Sequence, residues 1–503
     1  MRRFNGFGKT TLAVLFLGYC PLWTGCATTT PSPSPTPSPN PSPTPAPGPT
    51  VVVSKLDCTL CHSDAQARWM GSAHAASQRD VATELAEERA GQTADEVLHG
   101  DDPENCIACH GPAAILANGG MSETDALTYF FTTSDDTFTD GTRVNHDGDW
   151  PNIDCTTCHN VPDDHPATLP VLSLLDSSAR QYTPVDGAST LCGQCHGALR
   201  FAGTDHLTYD AWATSKHHET QADVAAELAE ERSGQTPQEV VNGDDPENCI
   251  ACHGPTAVLA NGKMTEVEAL AYFFTTSSGA FSPDTAPDHA DQWPNVACTA
   301  CHDPMAPGQP SYFNSSTKEY DSMPDATTLC GQCHGNLRFA DTDHLSYNVI
   351  RGTGALGVPD GQTMPGIGCT DCHMFVSDVD GSNSSMFHGH TFAVTVQEAD
   401  GGSTTSCTHC HDTFDTATSN TIIDGWKSDF AALDATAQTN VAGANAALAG
   451  VSDAVLQADL EEAQFNLAFA ESDESGGVHN HNYLMALLND ANDKALEILS
   501  ALE

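Results

Sequence analysis

The eleven residues Gly100–His110 read GDDPENCIACH, and the same eleven return, letter for letter, at Gly243–His253. Their last five fit Cys-x-x-Cys-His, the attachment pattern of c-type haem. Two thiols add to the haem vinyl groups, and the adjacent histidine ligates iron. Nine copies run along the chain: Cys58/Cys61/His62, Cys106/Cys109/His110, Cys155/Cys158/His159, Cys192/Cys195/His196, Cys249/Cys252/His253, Cys298/Cys301/His302, Cys330/Cys333/His334, Cys369/Cys372/His373 and Cys407/Cys410/His411. A single match is also compatible with half a zinc knuckle or a redox dithiol. Nine of them, each with its histidine, predict nine covalently bound c-type haems. Motifs are numbered 1 to 9 in chain order below.

The motifs use all but two of the 20 cysteines, and the two left over, Cys20 and Cys26, lie near the N-terminus. No cysteines remain for a disulfide framework, so haem is the covalent staple. The net charge of −49 argues against nucleic acid and anionic membrane surfaces as partners. It suits cationic proteins, metal cations and oxide minerals, and it equally serves solubility alone. Aromatic residues make up only 7% of the chain, consistent with haem replacing part of the usual core.

Residues 1–25 read as a secretory signal, with Arg2, Arg3 and Lys9 ahead of a short apolar run from Leu12 to Leu22. Leu22-Trp23-Thr24-Gly25-Cys26 resembles a bacterial lipobox, making Cys26 the candidate lipidation site. An ordinary signal cleaved nearby is the alternative. Residues 26–50 continue as a Pro/Ser/Thr-rich tract, expected to be an extended stalk. Together these features predict an exported lipoprotein of the outer membrane, facing the cell surface or the periplasm, with its membrane contact through the N-terminal lipid.

The eleven-residue match belongs to a longer repeat. Trp69-x-x-Ser72-x-His74 recurs as Trp212-x-x-Ser215-x-His217, and VATELAEERAGQT at Val81–Thr93 recurs as VAAELAEERSGQT at Val224–Thr236. Leu191–Ala202 recurs at Leu329–Ala340. The predicted organisation is a leading haem plus trihaem repeat 1 (51–204), trihaem repeat 2 (205–350), a dihaem tail (351–415) and a C-terminal helical region (416–503). The fold class is all-α: short helices and loops around nine haems, with long C-terminal helices. Arg79–Arg89 reads as an amphipathic helix, as do Thr421–Ser472, with Gly443 and Gly450 as possible breaks, and Asn480–Leu502. No strong strand pattern is evident.

Fourteen histidines remain after the nine proximal ones. Axial ligation is the main control on haem chemistry. Repeat equivalence selects His74 with His217, His146 with His289, and His206 with His344 as distal candidates. The tail adds His390 or His388, and the C-terminus adds His479 or His481. The ninth ligand is His218, the second member of either pair, His409, His165, His99 or none. Which histidine serves which haem is left open by the sequence.

Trp69-x-x-Ser72-x-His74 after a first motif resembles the multihaem superfamily of cytochrome c nitrite reductase, hydroxylamine oxidoreductase and octahaem tetrathionate reductase. Gly368–Met374 followed by His390-Thr391-Phe392 resembles it too, as does the ending Gly476–Asn480 with Leu487-Leu488. The resemblance implies an all-α fold with haems in close parallel and perpendicular pairs. It also implies His74, His217, His390 and His479 as distal ligands. The nitrite reductases carry lysine in their catalytic motif, whereas all nine motifs here end in histidine, so no catalytic residue carries over.

Three functions fit. The first is an electron carrier across or outside the envelope, delivering to other redox proteins or to extracellular metal or mineral acceptors. The second is a reductase or oxidase of a small nitrogen or sulfur species at one five-coordinate haem. The third is a subunit of a conductive filament. The C-terminal helices leave a homo-oligomer open.

Overall fold

The computed structural model describes residues 62–101, 103–160, 172–201, 204, 206–244, 246–339, 344–361, 366–375, 389–397, 403–411 and 413–503, all in the unit Pro49–Glu503. Cys26, Cys58, Cys61, His165 and His388 fall outside these residues, as do the side chain of His409, the expected 1–25 signal and the expected 26–50 stalk.

The duplication governs the first two thirds of the fold. Copy 1 places helices at Ser77–Glu87, Ala94–His99, Cys106–His110 and Glu123–Phe130; copy 2 places them at Thr220–Glu230, Pro237–Asn242, Cys249–His253 and Glu266–Phe273. The expected amphipathic helix at 79–89 is thus found at Ser77–Glu87, with Val81 and Leu85 fully buried. Thr93 and Thr236 each start the next helix with a capping box closed by Glu96 and Glu239. Asn105 and Asn248 cap the motif helices, accepting from the Ala108 and Ala251 N–H groups. Motif position along the chain is therefore set by local hydrogen bonds that recur in both copies.

Each copy has its own aromatic core. Phe130, Phe131, Phe138 and Trp150 form one, and Phe273, Phe274, Phe281 and Trp293 form the other. Phe130 meets Trp150 edge to face at 4.9 Å, and Phe273 meets Trp293 at 5.0 Å. Both indoles lie on a motif: a Cβ at Gly111 would stand 2.7 Å from Trp150, and one at Gly254 would stand 2.6 Å from Trp293. Burying each such ring contributes about 1.5–3 kcal/mol, and the glycine after each of motifs 2 and 5 lets the ring approach.

The structure departs from the sequence reading in holding three antiparallel hairpins: β1 (Ser173–Asp176) with β2 (Gln181–Pro184), β3 (Ser311–Asn314) with β4 (Glu319–Ser322), and β5 (Thr395–Gln397) with β6 (Ser403–Thr405). None exceeds four residues, and β1 and β3 bury three consecutive residues, so no alternating pattern could announce them. They do serve the motifs. Tyr182 of β2 donates to the Thr156 carbonyl inside motif 3 at 2.7 Å, and Tyr320 of β4 donates to Thr299 inside motif 6 at 2.9 Å.

The C-terminal region forms three helices, Thr416–Leu448, Ala454–Glu471 and His481–Leu502, which pack on one another around their own core. Buried alanines at 437, 444, 463, 491 and 495 allow the close approach. The 421–472 pattern breaks once, at Gly450, whose φ is +85°; Gly443 stays inside the first helix. Among the described residues no helix is long and apolar enough to cross a membrane.

Candidate functional site

A Cys-x-x-Cys-His run on a single helical turn puts both sulfurs and the imidazole on one face, because positions i, i+3 and i+4 are neighbours there. Motifs 2, 5 and 8 form such turns at Cys106–His110, Cys249–His253 and Cys369–His373, and motifs 3 and 6 at Cys155–Cys158 and Cys298–Cys301. Asp154 caps motif 3 through the Thr156 and Thr157 N–H groups.

The proximal histidines then meet distal ones from far along the chain. Ring centres lie 6.2 Å apart for His196 and His74, 6.1 Å for His334 and His217, and 6.5 Å for His253 and His344. They lie 6.2 Å apart for His302 and His390, and 5.8 Å for His373 and His479. His206 and His74 both lie within electrostatic reach of His110. Two imidazoles on one metal ion should lie about 6 Å apart, from metal–nitrogen bonds of about 2.0–2.1 Å plus about 1 Å to each ring centre. All five measured pairs fit. The buried His110 Nδ1 and His159 Nδ1 have no hydrogen-bond partner, which also suits rings whose business is with a bound group.

Burial holds these rings in the neutral state that ligation needs. It lowers His110, His196, His217, His334 and His390 to about 4, with neighbouring histidines adding to the effect. His74, His159 and His373 are lowered in the same way.

Second ring nitrogens are anchored, which fixes ring orientation. His373 Nδ1 meets the Phe392 carbonyl at 2.9 Å, and His302 Nδ1 meets the Pro307 carbonyl at 3.0 Å. His479 is different: its Nδ1 meets a carboxylate, Asp473 Oδ1, at 2.8 Å, and Asp473 is 1% exposed. His74 and His217 are placed by their backbones, whose carbonyls accept from Ile153 and Val296, just ahead of motifs 3 and 6. The Trp69 and Trp212 indoles donate to the same two residues. The Trp-x-x-Ser-x-His segment thus ties the approach to one motif (3 or 6) to the histidine that faces the next (4 or 7).

Not every candidate joins a pair. His146 and His289 adopt left-handed backbone conformations, stack on Tyr129 and Tyr272 at 3.9 Å, and direct Nδ1 to those tyrosines' carbonyls at 2.9 Å. Each ring is thus held by a tyrosine of the helix 17 residues earlier in the chain. His481 stacks on Trp426, His218 lies edge-on to Trp212, and exposed His99 meets Asp95. His62 and His411 are exposed.

Motifs also touch one another. Cys109 is in side-chain contact with Cys195, Cys192 with Cys298, Cys252 with Cys333, and Cys330 with Cys369. Ser189 Oγ accepts from Cys298 N–H at 3.1 Å, and Thr327 Oγ1 accepts from Cys369 N–H at 3.2 Å, so the same bond ties motif 4 to 6 and motif 7 to 8. Cys158 is within electrostatic reach of Cys192 and Cys195, Cys301 of Cys330 and Cys333, and Cys372 of Cys407 and Cys410. Sequence reasoning missed Asp473, Ser189 and Thr327: Asp473 stands at no fixed offset from a motif, whereas Ser189 and Thr327 each stand three residues ahead of motifs 4 and 7, and that shared offset in the repeat was the available signal.

Residues 362–502 match the family model described as cytochrome c552, and residues 57–129 and 191–272 match the one described as cytochrome c554 and c-prime. The two c554 segments begin at equivalent points, ahead of motifs 1 and 4. Among solved structures the chain is similar to the outer cell wall cytochrome OcwA, at 16% identity over 87% of this chain and 98% of that one, with a TM-score of 0.41. It is also similar to an undecaheme cytochrome from the S-layer of Carboxydothermus ferrireducens, at 18% identity over 79% of this chain and 56% of that one, with a TM-score of 0.35. No curated protein matches.

Proposed function

We propose that this multihaem c-type cytochrome, with its c552-like and c554-like segments, is a nine-haem electron conduit of the cell envelope or exterior. Haem, when bound, supplies reversible one-electron chemistry. The chain supplies the order of sites and the ligands. Six sites are bis-histidine: His110 with His206, His196 with His74, His253 with His344, His302 with His390, His334 with His217, and His373 with His479. The observation that carries the reading is this set of facing imidazoles, joined by motif-to-motif contacts. Paired strong ligands leave no coordination position for a substrate and favour electron transfer.

The cysteine contacts and close approaches support the order 3–4–6–7–8–9. Residues 1–25 and the Cys26-bearing stalk belong to the same reading, as export signal and lipid tether. Residues 51–204, 205–350 and 351–415 hold the haems, and 416–503 caps the end. The acidic surface selects cationic partners: basic redox proteins, metal cations or oxide minerals.

Low-temperature EPR of the fully oxidised protein tests the ligand set. Low-spin signals from at least the six assigned irons are expected. High-spin signals from most irons would overturn the assignment, and cyanide binding at one iron would turn attention to a small-molecule reductase.

A further inference from the structure

Motifs 2 and 5 stand outside the single file. Motif 4 uses Cys192 to contact motif 6 and Cys195 to contact Cys109 of motif 2, and Cys158 of motif 3 lies nearby. Motif 7 repeats this: Cys330 contacts motif 8, Cys333 contacts Cys252 of motif 5, and Cys301 of motif 6 lies nearby. Motifs 4 and 7 are therefore three-way junctions, and each sends one arm to the CIACH motif of its copy.

The far side of that arm is closed. Cys106 and Cys249, the outer cysteines of motifs 2 and 5, are 5% and 6% exposed. Neither has another motif's cysteine beside it among the described residues. Each faces a carboxylate pair instead: Glu84 and Glu104 around Cys106, and Glu227 and Glu247 around Cys249. Arg89 pairs with Glu104, and Arg232 with Glu247, the latter at 2.6 Å. The aromatic cores pack against the same turns, with Ile107 and Ile250 fully buried. By contrast Cys410 of motif 9, at the end of the file, is exposed.

We propose that motifs 2 and 5 are side branches of the conduit, dead-end sites that each store one electron beside the line and are not steps along it. This rests on the conduit reading above. One electron moves onto a branch site when the line is reduced, and returns through the same cysteine contact when the line is oxidised. Donor and acceptor are those of the line, so no further reactant is needed. A buried outer edge keeps external partners away, and among the described residues the junction is the one route in or out.

The test uses the full haem-loaded chain, held between two gold contacts through terminal thiols, with the current through single molecules recorded. Removing site 2 by Cys106→Ser with Cys109→Ser should lower the coulometric uptake by one electron and reduce the current far less than removal of a site in the line. Removing site 6 by Cys298→Ser with Cys301→Ser should reduce the current to that of haem-free chain. Should a deletion variant fail to fold, His206→Gly and His344→Gly keep the haems attached; they should shift the branch potentials and lower the current less than His390→Gly does. A branch deletion that cuts the current as deeply as removal of site 6 overturns the proposal. If the unaltered chain carries no more current than haem-free chain, the conduit reading itself falls, and the storage role with it.

Discussion

Replacing Asp473 by asparagine should raise the reduction potential of one haem, that of motif 8, and leave the others in place. Asp473 is 1% exposed and accepts from His479 Nδ1 at 2.8 Å. His479 faces His373 with ring centres 5.8 Å apart, so the metal position midway lies about 7 Å from the carboxylate oxygen. One negative charge at about 7 Å, with an effective dielectric of about 20, stabilises the oxidised iron by about 2.4 kcal/mol. At about 59 mV per 1.4 kcal/mol for a one-electron couple, this corresponds to about 100 mV. Asparagine keeps the shape and removes the charge. The assay is an optical potentiometric titration, following the component that carries one ninth of the haem absorbance. Ser475→Ala is the control, because Ser475 hydrogen-bonds Asp473 and accepts from the Val478 and His479 N–H groups without carrying charge. If no component moves by more than about 20 mV while the haem count and spectrum hold, the electrostatic argument fails.

Other perturbations have equally definite outcomes. Burial, with Glu104 beside it, raises Glu84 to about 8 from 4.5; its folded value lies above its unfolded one, so the stability it contributes is present in acid and lost as pH rises through about 8. Glu84→Gln should flatten the fall in urea midpoint between about pH 5 and about pH 9. Asn466 is fully buried and bridges the Leu356 N–H, the Leu356 carbonyl and Asp490. Asn466→Ala orphans those groups and should cost about 3 kcal/mol, read by chemical denaturation. Ala491→Leu overfills a fully buried position in the C-terminal bundle and should cost about 1–3 kcal/mol, read by the same method.

The sequence by itself determined the cofactor chemistry and most of the local structure. Cys-x-x-Cys-His carries its own meaning because both thiols, the imidazole and the helical turn that aligns them lie within five consecutive residues. The helices at Ser77–Glu87 and His481–Leu502 were legible from periodicity, and the duplication from identical letters at a fixed offset. The hairpins were not, since strands of three or four residues with consecutive burial leave no alternating signal. Ligand pairing was beyond the sequence for a different reason. His74 meets His196 and His302 meets His390 across 122 and 88 residues of chain, and nothing local encodes such a meeting. Repeat equivalence weighed His146 and His289 the same as His206 and His344. The fold treats them differently: it stacks the first two on tyrosines and sets His344 6.5 Å from His253. The order of the motifs, and the carboxylate behind His479, likewise come from tertiary packing, because they depend on which turns touch and not on what any turn contains.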